Sequence, residues 1–353
     1  MKKINIAIIG CGMIAESHAI AIGMDSRAVL AAAAYGTNVK RGEAFAEKFN
    51  VPVIAGDYRD LINNGAHIDM VCVCTPSGMH AGCAVDFLNA GVPALIEKPL
   101  DITAEAMTRM IDAAEANNLP LGCVFPNRTR PGLIKAKALF DGGELGEIYA
   151  VECQYRGYRS PDYYRSSNWK GKLKYDGGGC LMNQGIHAVD AMLWLAGPVA
   201  KVCGQTGIYG RDIEVENNAS ALLKFKSGAQ GVLMGATLSY ATEEGPEGDR
   251  IRIECANGSI VYANGRTTYY KNNAADHFDV TVIPLDEDEP GAVSSGAVPE
   301  NIDMGAHSVI VSDFISAVIE KREPLAPAVS ARLSVDTILA VYRSARSGKW
   351  EDV

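Results

Sequence analysis

The sequence predicts an α/β protein: an N-terminal doubly wound parallel sheet followed by an α+β domain whose sheet is mostly antiparallel. Three observations predict it. The 353 residues correspond to two domains at about 150 residues each. Residues 1–125 alternate short, wholly apolar runs with helical patterns, as strands buried on both faces of a parallel sheet do. After Asn127 strand-like runs follow one another with few helices between them. The expected division is 1–124 and 125–353, with the last helices candidates to pack back on the first domain.

In the first domain the strand candidates are Ile4–Gly10, Val29–Ala34, Ile68–Cys74, Val92–Ile96 and Leu121–Phe125. Helices are expected near Ile14–Met24, Lys40–Phe49, Tyr58–Asn64, His80–Ala90 and Thr103–Asn117. Thr103 is a capping residue type, and Glu105 puts negative charge in the first turn, where the helix dipole favours it. In the second domain a helix over Pro131–Asp141 precedes a strand at Ile148–Tyr158 and a helix near Cys180–Leu195. Strands then read at Val199–Gly207, Ala219–Phe225, Gln230–Ser239, Ile251–Cys255, Ser259–Tyr262 and Thr267–Lys271. The turn signals Lys226-Ser227-Gly228 and Asn257-Gly258 make hairpins of them. Asp286 to Glu300 is acidic with Gly, Pro and Ser, a solvated loop by composition. Helices over Met304–Ile319 and Ala328–Ser347 follow.

Composition excludes several classes. With 33 basic and 42 acidic residues the net charge is −9, which does not suit a nucleic-acid-binding protein. No apolar run approaches the ~18 residues of a membrane span. An apolar content of 48% excludes disorder. The nine cysteines are odd in number and include no CxxC, so no metal site is expected and the thiols read as reduced. Lys2-Lys3 before Ile4–Gly10 superficially resembles a secretion signal, but Asn5 interrupts the apolar stretch and a glycine turn follows. The expected location is the cytoplasm.

Gly10-Cys11-Gly12-Met13-Ile14-Ala15 is G-x-G-x-x-A between a strand and a helix. Gly10 permits the tight turn, Gly12 lets a pyrophosphate approach the backbone, and Ala15 lets helix and strand pack closely. The helix N-terminus, with Met13 and Ile14, meets the anion. This places a dinucleotide there. The second strand ends in Ala34-Tyr35-Gly36-Thr37-Asn38 with no carboxylate until Glu43 to take a ribose 2′-hydroxyl. Gly36, Thr37 and the basic Lys40 and Arg41 would meet a 2′-phosphate, so the expectation leans to NADP, with NAD the alternative.

Two further segments carry chemistry. Glu97-Lys98-Pro99 follows a strand at the carboxyl edge of the sheet, where such folds bind ligands. Asp176 to Asp190 runs from Gly177-Gly178-Gly179 into a helix on which Asn183 and His187, four apart, share a face. From Tyr155 to Tyr175 aromatic and basic residues interleave, among them Tyr164, Trp169 and Lys170. Such a stretch stacks on a sugar and holds an anionic group, or it is a surface loop with packed tyrosines. Arg128, at the domain junction, is a candidate for the cleft or for a hinge.

The chain resembles the Gfo/Idh/MocA (glucose–fructose oxidoreductase, inositol dehydrogenase, rhizopine catabolism) family. The resemblance rests on the glycine turn, Thr75-Pro76-Ser77-Gly78-Met79-His80, Glu97-Lys98-Pro99, Trp169-Lys170-Gly171 and the Gly177–Asp190 block, in that order. It implies a Rossmann domain, a second domain with a large open sheet used in homodimers or homotetramers, and NAD(P)-dependent chemistry on a sugar or cyclitol hydroxyl. It implies that Lys98 lies beside the reacting hydroxyl, on a cis Lys98-Pro99 bond, with Glu97 near the nicotinamide ribose. Thr75, Pro76, Ser77 and His80 would border the cofactor, and Trp169 and Lys170 would reach toward it. His187 matches the proton-transferring histidine. Asn183 departs from the commoner Asp and only donates and accepts hydrogen bonds, which leaves His187 as the base. Members with L-M-N-Q-G-x-H include some similar to 3-dehydrogenases of nucleotide-linked amino sugars. The substrate contacts implied are Lys98, Arg128, Tyr155, Tyr164, Asn183 and His187. Two alternatives stand beside a dehydrogenase: an enzyme that keeps NAD bound for elimination or epimerisation, and a dinucleotide-sensing regulator.

Overall fold

The computed structural model describes residues 3–63, 67–241, 247–286 and 304–353. Residues 287–300 of the acidic stretch, and Asn64 at the end of the third expected helix, lie outside them. In chain order the elements begin β1 (Ile4–Ile9), α1 (Met13–Met24), β2 (Ala28–Ala34), α2 (Val39–Phe49), β3 (Val53–Ala55) and α3 (Tyr58–Asn63). Next come β4 (Met70–Val73), α4 (His80–Asn89), β5 (Ala94–Ile96), α5 (Ala104–Ala116), β6 (Leu121–Cys123) and α6 (Pro131–Asp141). Then β7 (Ile148–Gly157), α7 (Pro161–Arg165), α8 (Leu173–Asp176), a π-helical turn (Cys180–Gly185) and α9 (Ile186–Ala196) follow. The strands β8 (Val199–Gly207), β9 (Asn218–Phe225), β10 (Gln230–Ala236) and β11 (Glu247–Cys255) come next. They lead to β12 (Gly258–Ala263), β13 (Arg266–Asn272) and β14 (Val280–Pro284). The remaining elements are α10 (Met304–Glu320), α11 (Ala328–Ser347) and β15 (Glu351–Asp352).

The chain divides into two compact units: Met1–Pro126 with Ile302–Arg332, and Asn127–Asn301 with Leu333–Val353. The first division falls two residues after the expected one, at Pro126/Asn127 rather than 124/125, and the segment from residue 302 returns to unit 1.

Unit 1 holds a six-stranded parallel sheet in the order β3-β2-β1-β4-β5-β6. β1 and β4 show why their sequences are unbroken apolar runs: Ile6, Ile8, Met70 and Cys72 are fully buried. α10 supplies Ile310, Val311, Phe314 and Ile315 to the same core as Ile6, Ile8, Ile22 and Leu95. Burying each such side chain contributes about 1.5–3 kcal/mol. Arg27 pins α10 by donating to Ser312 Oγ (2.9 Å) and Ser316 Oγ (2.8 Å). Its guanidinium also holds the Asp25 carboxyl well below the usual carboxylate range.

Unit 2 is a nine-stranded sheet ordered β14-β13-β12-β11-β7-β10-β9-β8-β15, in which only the β7–β10 pair is parallel. β9 alternates exposed and buried residues strictly, so one face of the sheet packs and the other is open. On the open face Leu222 of β9 lies opposite Val232 of β10. With Met234 they form an exposed apolar patch.

Candidate active site

Strand order in unit 1 runs outward in opposite directions from the adjacent β1 and β4. Doubly wound sheets bind ligands at that reversal, outside the carboxyl ends. The glycine turn sits there. Gly10 has φ +95°, and a Cβ at that position would lie 2.7 Å from the Cys74 carbonyl oxygen. Only glycine fits between the two strand ends. A Cβ on Gly12 would meet nothing within 4 Å. α1 has no side-chain cap, whereas Asn38 caps α2 and Thr103 caps α5. An uncapped helix N-terminus beside open space fits a pyrophosphate. Met13 is exposed there and Ile14 half-buried. Gly36, Thr37 and Arg41 are exposed where β2 passes into α2. Burial pushes the Cys11 thiol up to about 11, and the nearby Arg41 opposes that rise.

Beside β1, the Thr75-Pro76-Ser77 loop leaves β4, with Ser77 buried and Thr75 and Pro76 half-buried. His80 is buried at the start of α4, with Nε2 2.9 Å from the Thr75 carbonyl and Nδ1 2.9 Å from the Pro99 carbonyl. These contacts make it a brace between the two loops. The Lys98-Pro99 bond is cis. Lys98 is half-buried directly after β5.

Glu97 is buried and accepts hydrogen bonds from His18 Nε2 (2.9 Å) and from the Lys98 backbone N–H (3.1 Å). The rings of His18 and His307 meet edge to face, centroids 4.6 Å apart. Burial opposes ionisation of Glu97, but the hydrogen bond and charge of His18 win and hold its pKa at about 2. Burial likewise opposes a charge on His18, yet its contacts with Cys74 and Cys72 place it well above the ordinary histidine range.

Burial and the His18 charge hold His307 down at about 4, from an ordinary 6.5. Between those values the unfolded chain binds a proton that folded His307 does not, so stability falls as pH drops through that window. His18, raised instead of lowered, contributes the opposite slope and only near the top of the window, where the unfolded histidine is not yet fully protonated. His307→Phe removes the titrating group, so its melting temperature changes less between pH 6.5 and 4 than the wild type's. An equal fall in both proteins would contradict this.

In unit 2 the glycine run serves close approach. A Cβ on Gly179 would lie 1.7 Å from the Glu216 carbonyl oxygen, and one on Gly178 would lie 2.2 Å from the Tyr342 hydroxyl. Buried Glu216 caps the turn that follows, accepting from the N–H groups of Gly179 (2.6 Å) and Leu181 (3.0 Å) and from Tyr342 Oη (2.8 Å). The helix expected to be α-helical from Cys180 is π-helical over Cys180–Gly185 and α-helical from Ile186. Such turns are frequent at functional sites. Asn183 is half-buried in the π turn, and its Nδ2 donates to Asp176 Oδ1 at 2.6 Å. Asp176 Oδ2 accepts the Gly171 N–H at 2.8 Å. The side chain that departs from the commoner Asp is therefore itself held by a carboxylate.

His187 is 5% exposed in the first turn of α9. Arg128 grips that helix through two bonds to Asp190, Nε–Oδ2 at 2.9 Å and Nη2–Oδ1 at 2.6 Å. Burial raises the Asp190 pKa and Arg128 opposes the rise. Asn127 Nδ2 donates to the His187 carbonyl (3.3 Å). Arg128, 2% exposed, thus helps to hold unit 2 together, the structural role the sequence left open beside a place in the cleft. Tyr155, also 2% exposed, packs beneath Gly185. Tyr164 is half-buried, its hydroxyl 3.2 Å from Thr237 Oγ1. Lys170 Nζ lies 4.2 Å over the Tyr163 ring, and burial lowers its pKa. Trp169 adjoins it, half-buried.

The sequence singled out neither the His18–Glu97–His307 triad nor the Asp176–Asn183 and Arg128–Asp190 pairs, which join residues with no short-range pattern. No helix among the described residues is long and apolar enough to cross a membrane.

Comparison with known proteins identifies the family. The NAD-binding Rossmann-fold domain of an oxidoreductase family matches residues 4–125, and the GFO/IDH/MocA C-terminal domain matches residues 133–261. The rhizopine catabolism protein MocA of Rhizobium meliloti is 28% identical over 56% of this chain, a match spanning 58% of that protein. Inositol 2-dehydrogenase of Rhizobium meliloti is 27% identical over 74% of this chain and 76% of its own. The WlbA dehydrogenase of Bordetella pertussis, solved with NADH and UDP-GlcNAcA, superposes with a TM-score of 0.83. It is 27% identical and covers 100% of this chain and 99% of that one. With both of its domains matched in order, the chain belongs to the Gfo/Idh/MocA family of oxidoreductases, and unit 1 is its NAD-binding domain.

Proposed function

We propose that the protein is an NAD(P)-dependent dehydrogenase that oxidises a secondary hydroxyl of a sugar, cyclitol or sugar derivative, or reduces the corresponding ketone. One observation carries the reading: Lys98 stands at the carboxyl end of β5 on a segment clamped by Glu97 and His80. A fixed ammonium suits a developing alkoxide, to which it donates a hydrogen bond. His187, on a helix anchored by Arg128, takes the hydroxyl proton. Asn183, fixed by Asp176, orients a neighbouring hydroxyl. The nicotinamide ring, when bound, supplies the hydride acceptor. The relatives that act on inositol, and the WlbA structure with UDP-GlcNAcA, point to the same substrate class.

The test is a screen of free sugars, inositols, uronic acids and nucleotide sugars with added NAD and NADP, read as net cofactor reduction. Net reduction supports a dehydrogenase. Turnover without it supports an enzyme with internal redox, and no turnover with any polyol supports a regulator.

Because β2 ends without a carboxylate and Arg41 is exposed beyond it, the site takes NADP as well as NAD, with NADP favoured. Arg41→Ala should lower kcat/KM for NADP by about tenfold and leave NAD within about twofold, the value of one exposed charge–phosphate contact. Equal effects on both cofactors, or a strong wild-type preference for NAD, would remove Arg41 from this role.

A further inference from the structure

We infer that His18 and His307 form with Glu97 a buried positioning relay that fixes Lys98 for its work on the substrate hydroxyl, a role resting on the reading above. The relay is built from three separate elements. Glu97 immediately precedes Lys98, and its two carboxylate oxygens are spent differently: Oε2 accepts the Lys98 N–H at 3.1 Å and Oε1 takes His18 Nε2 at 2.9 Å. His18 is 0% exposed on α1, and α10 sets the edge of His307 against its ring at an interplanar angle of 89°. The lysine backbone is thereby tied to two helices of unit 1 through one carboxylate.

The arrangement is expensive for a merely structural joint. An ion pair taken out of water costs several kcal/mol per charge before its attraction is recovered, and a neutral amide in place of Glu97 would also accept the Lys98 N–H. What the charged pair adds is direction. An ionised carboxylate only accepts, so His18 Nε2 must donate, and the orientation of the Glu97 side chain is fixed. A displacement of about 1 Å in a reacting group can cost on the order of 10²-fold in rate. One nitrogen of each histidine and one Glu97 carboxylate oxygen lie within 4.8 Å of one another, a spacing that also admits a metal ion. The 2.9 Å between His18 and Glu97 is, however, a direct hydrogen-bond length.

His18→Leu removes the donor and His18→Gln replaces it with an amide nitrogen. His18→Leu should lower kcat by about 10- to 100-fold, as loss of an outer-shell orienting group does. KM for cofactor and substrate should stay within about threefold, since neither is held by His18. His18→Gln should recover most of the loss. His307→Ala should lower kcat and His307→Phe restore it, because the ring and not its nitrogens backs His18. The relay is overturned if His18→Leu keeps wild-type kcat, if His18→Gln is as slow as His18→Leu, or if purified enzyme holds a stoichiometric metal that His18→Leu loses. Should His18→Leu fail to fold, His18→Asn against His18→Gln decides, since the shorter amide does not reach Glu97; equal kcat in the two overturns the relay. Lys98→Ala separates the two levels. If it retains turnover, the role of Lys98 itself fails; if it is inactive while His18→Leu is normal, only the relay does.

Discussion

Lys98→Ala lowers turnover by about 10²- to 10³-fold and His187→Ala by about 10²- to 10⁴-fold, while both proteins keep their fold. The two losses have different origins. In the proposed reaction Lys98 would donate to the negative charge that builds on the substrate oxygen as its proton leaves and before the hydride has gone, so its removal falls on kcat more than on KM. His187 takes the proton that must leave first, and no substituent on alanine replaces it. Folding should be spared because each segment has anchors besides the side chain removed. The Lys98 turn is fixed through its backbone N–H, and α9 is fixed by Arg128 and by Asn127 at the His187 carbonyl. The measurement is steady-state turnover on the best substrate of the screen, with thermal unfolding alongside. Near-normal turnover in both variants rules the scheme out. Because the residues act as a unit, the double variant should be little worse than the slower single one.

Gly179→Ala should disrupt the π turn of unit 2 that carries Asn183. The new methyl group would sit 1.7 Å from the Glu216 carbonyl oxygen, which belongs to backbone and cannot swing away. To make room, the π turn must move by more than an ångström. Three bonds meet at that point: Gly179 N–H and Leu181 N–H to the Glu216 carboxylate, and Cys180 N–H to its carbonyl (2.8 Å). Bonds to a charged group are worth about 1.5–3 kcal/mol each, so losing them removes a large part of a typical domain's 5–15 kcal/mol. The expected result is a melting temperature lower by ten degrees or so and no measurable turnover. Gly82→Ala in α4 is the control, because nothing lies within 4 Å of the added carbon. A Gly179→Ala protein that melts normally and turns over would show that the turn adapts.

Much of this was legible in the sequence, and the reason differs by region. The parallel strands announced themselves because burial on both faces demands unbroken apolar runs. β3 did not, since its three residues Val53–Ala55 are exposed or half-exposed, and β15 is only two residues long. The chemistry-bearing segments Gly10–Ala15, Glu97-Lys98 and Asn183–His187 were visible because turns and helix starts leave short-range signatures. The i,i+4 spacing of Asn183 and His187 could not reveal that the helix begins as a π turn. Asp176 lay within the quoted block, yet no pattern paired it with Asn183. Arg128 looked available for a ligand because its partner, Asp190, comes 62 residues later. His18 and His307 carried no local pattern at all, and only the fold joins them to Glu97.

The return of α10 to unit 1 has a consequence for synthesis. Ile310, Val311, Phe314 and Ile315 share one core with Ile6, Ile8 and Leu95. A ribosome that has released the first 126 residues has therefore delivered a sheet whose covering helix does not yet exist. That bare apolar surface must wait through the translation of the whole of residues 127–301. At about 5–20 residues per second the delay is on the order of ten seconds or more. During it the nascent chain is a client for chaperones, and the NAD-binding half of the enzyme, begun first, is completed only when Arg332 has been made, shortly before unit 2 receives its last residues.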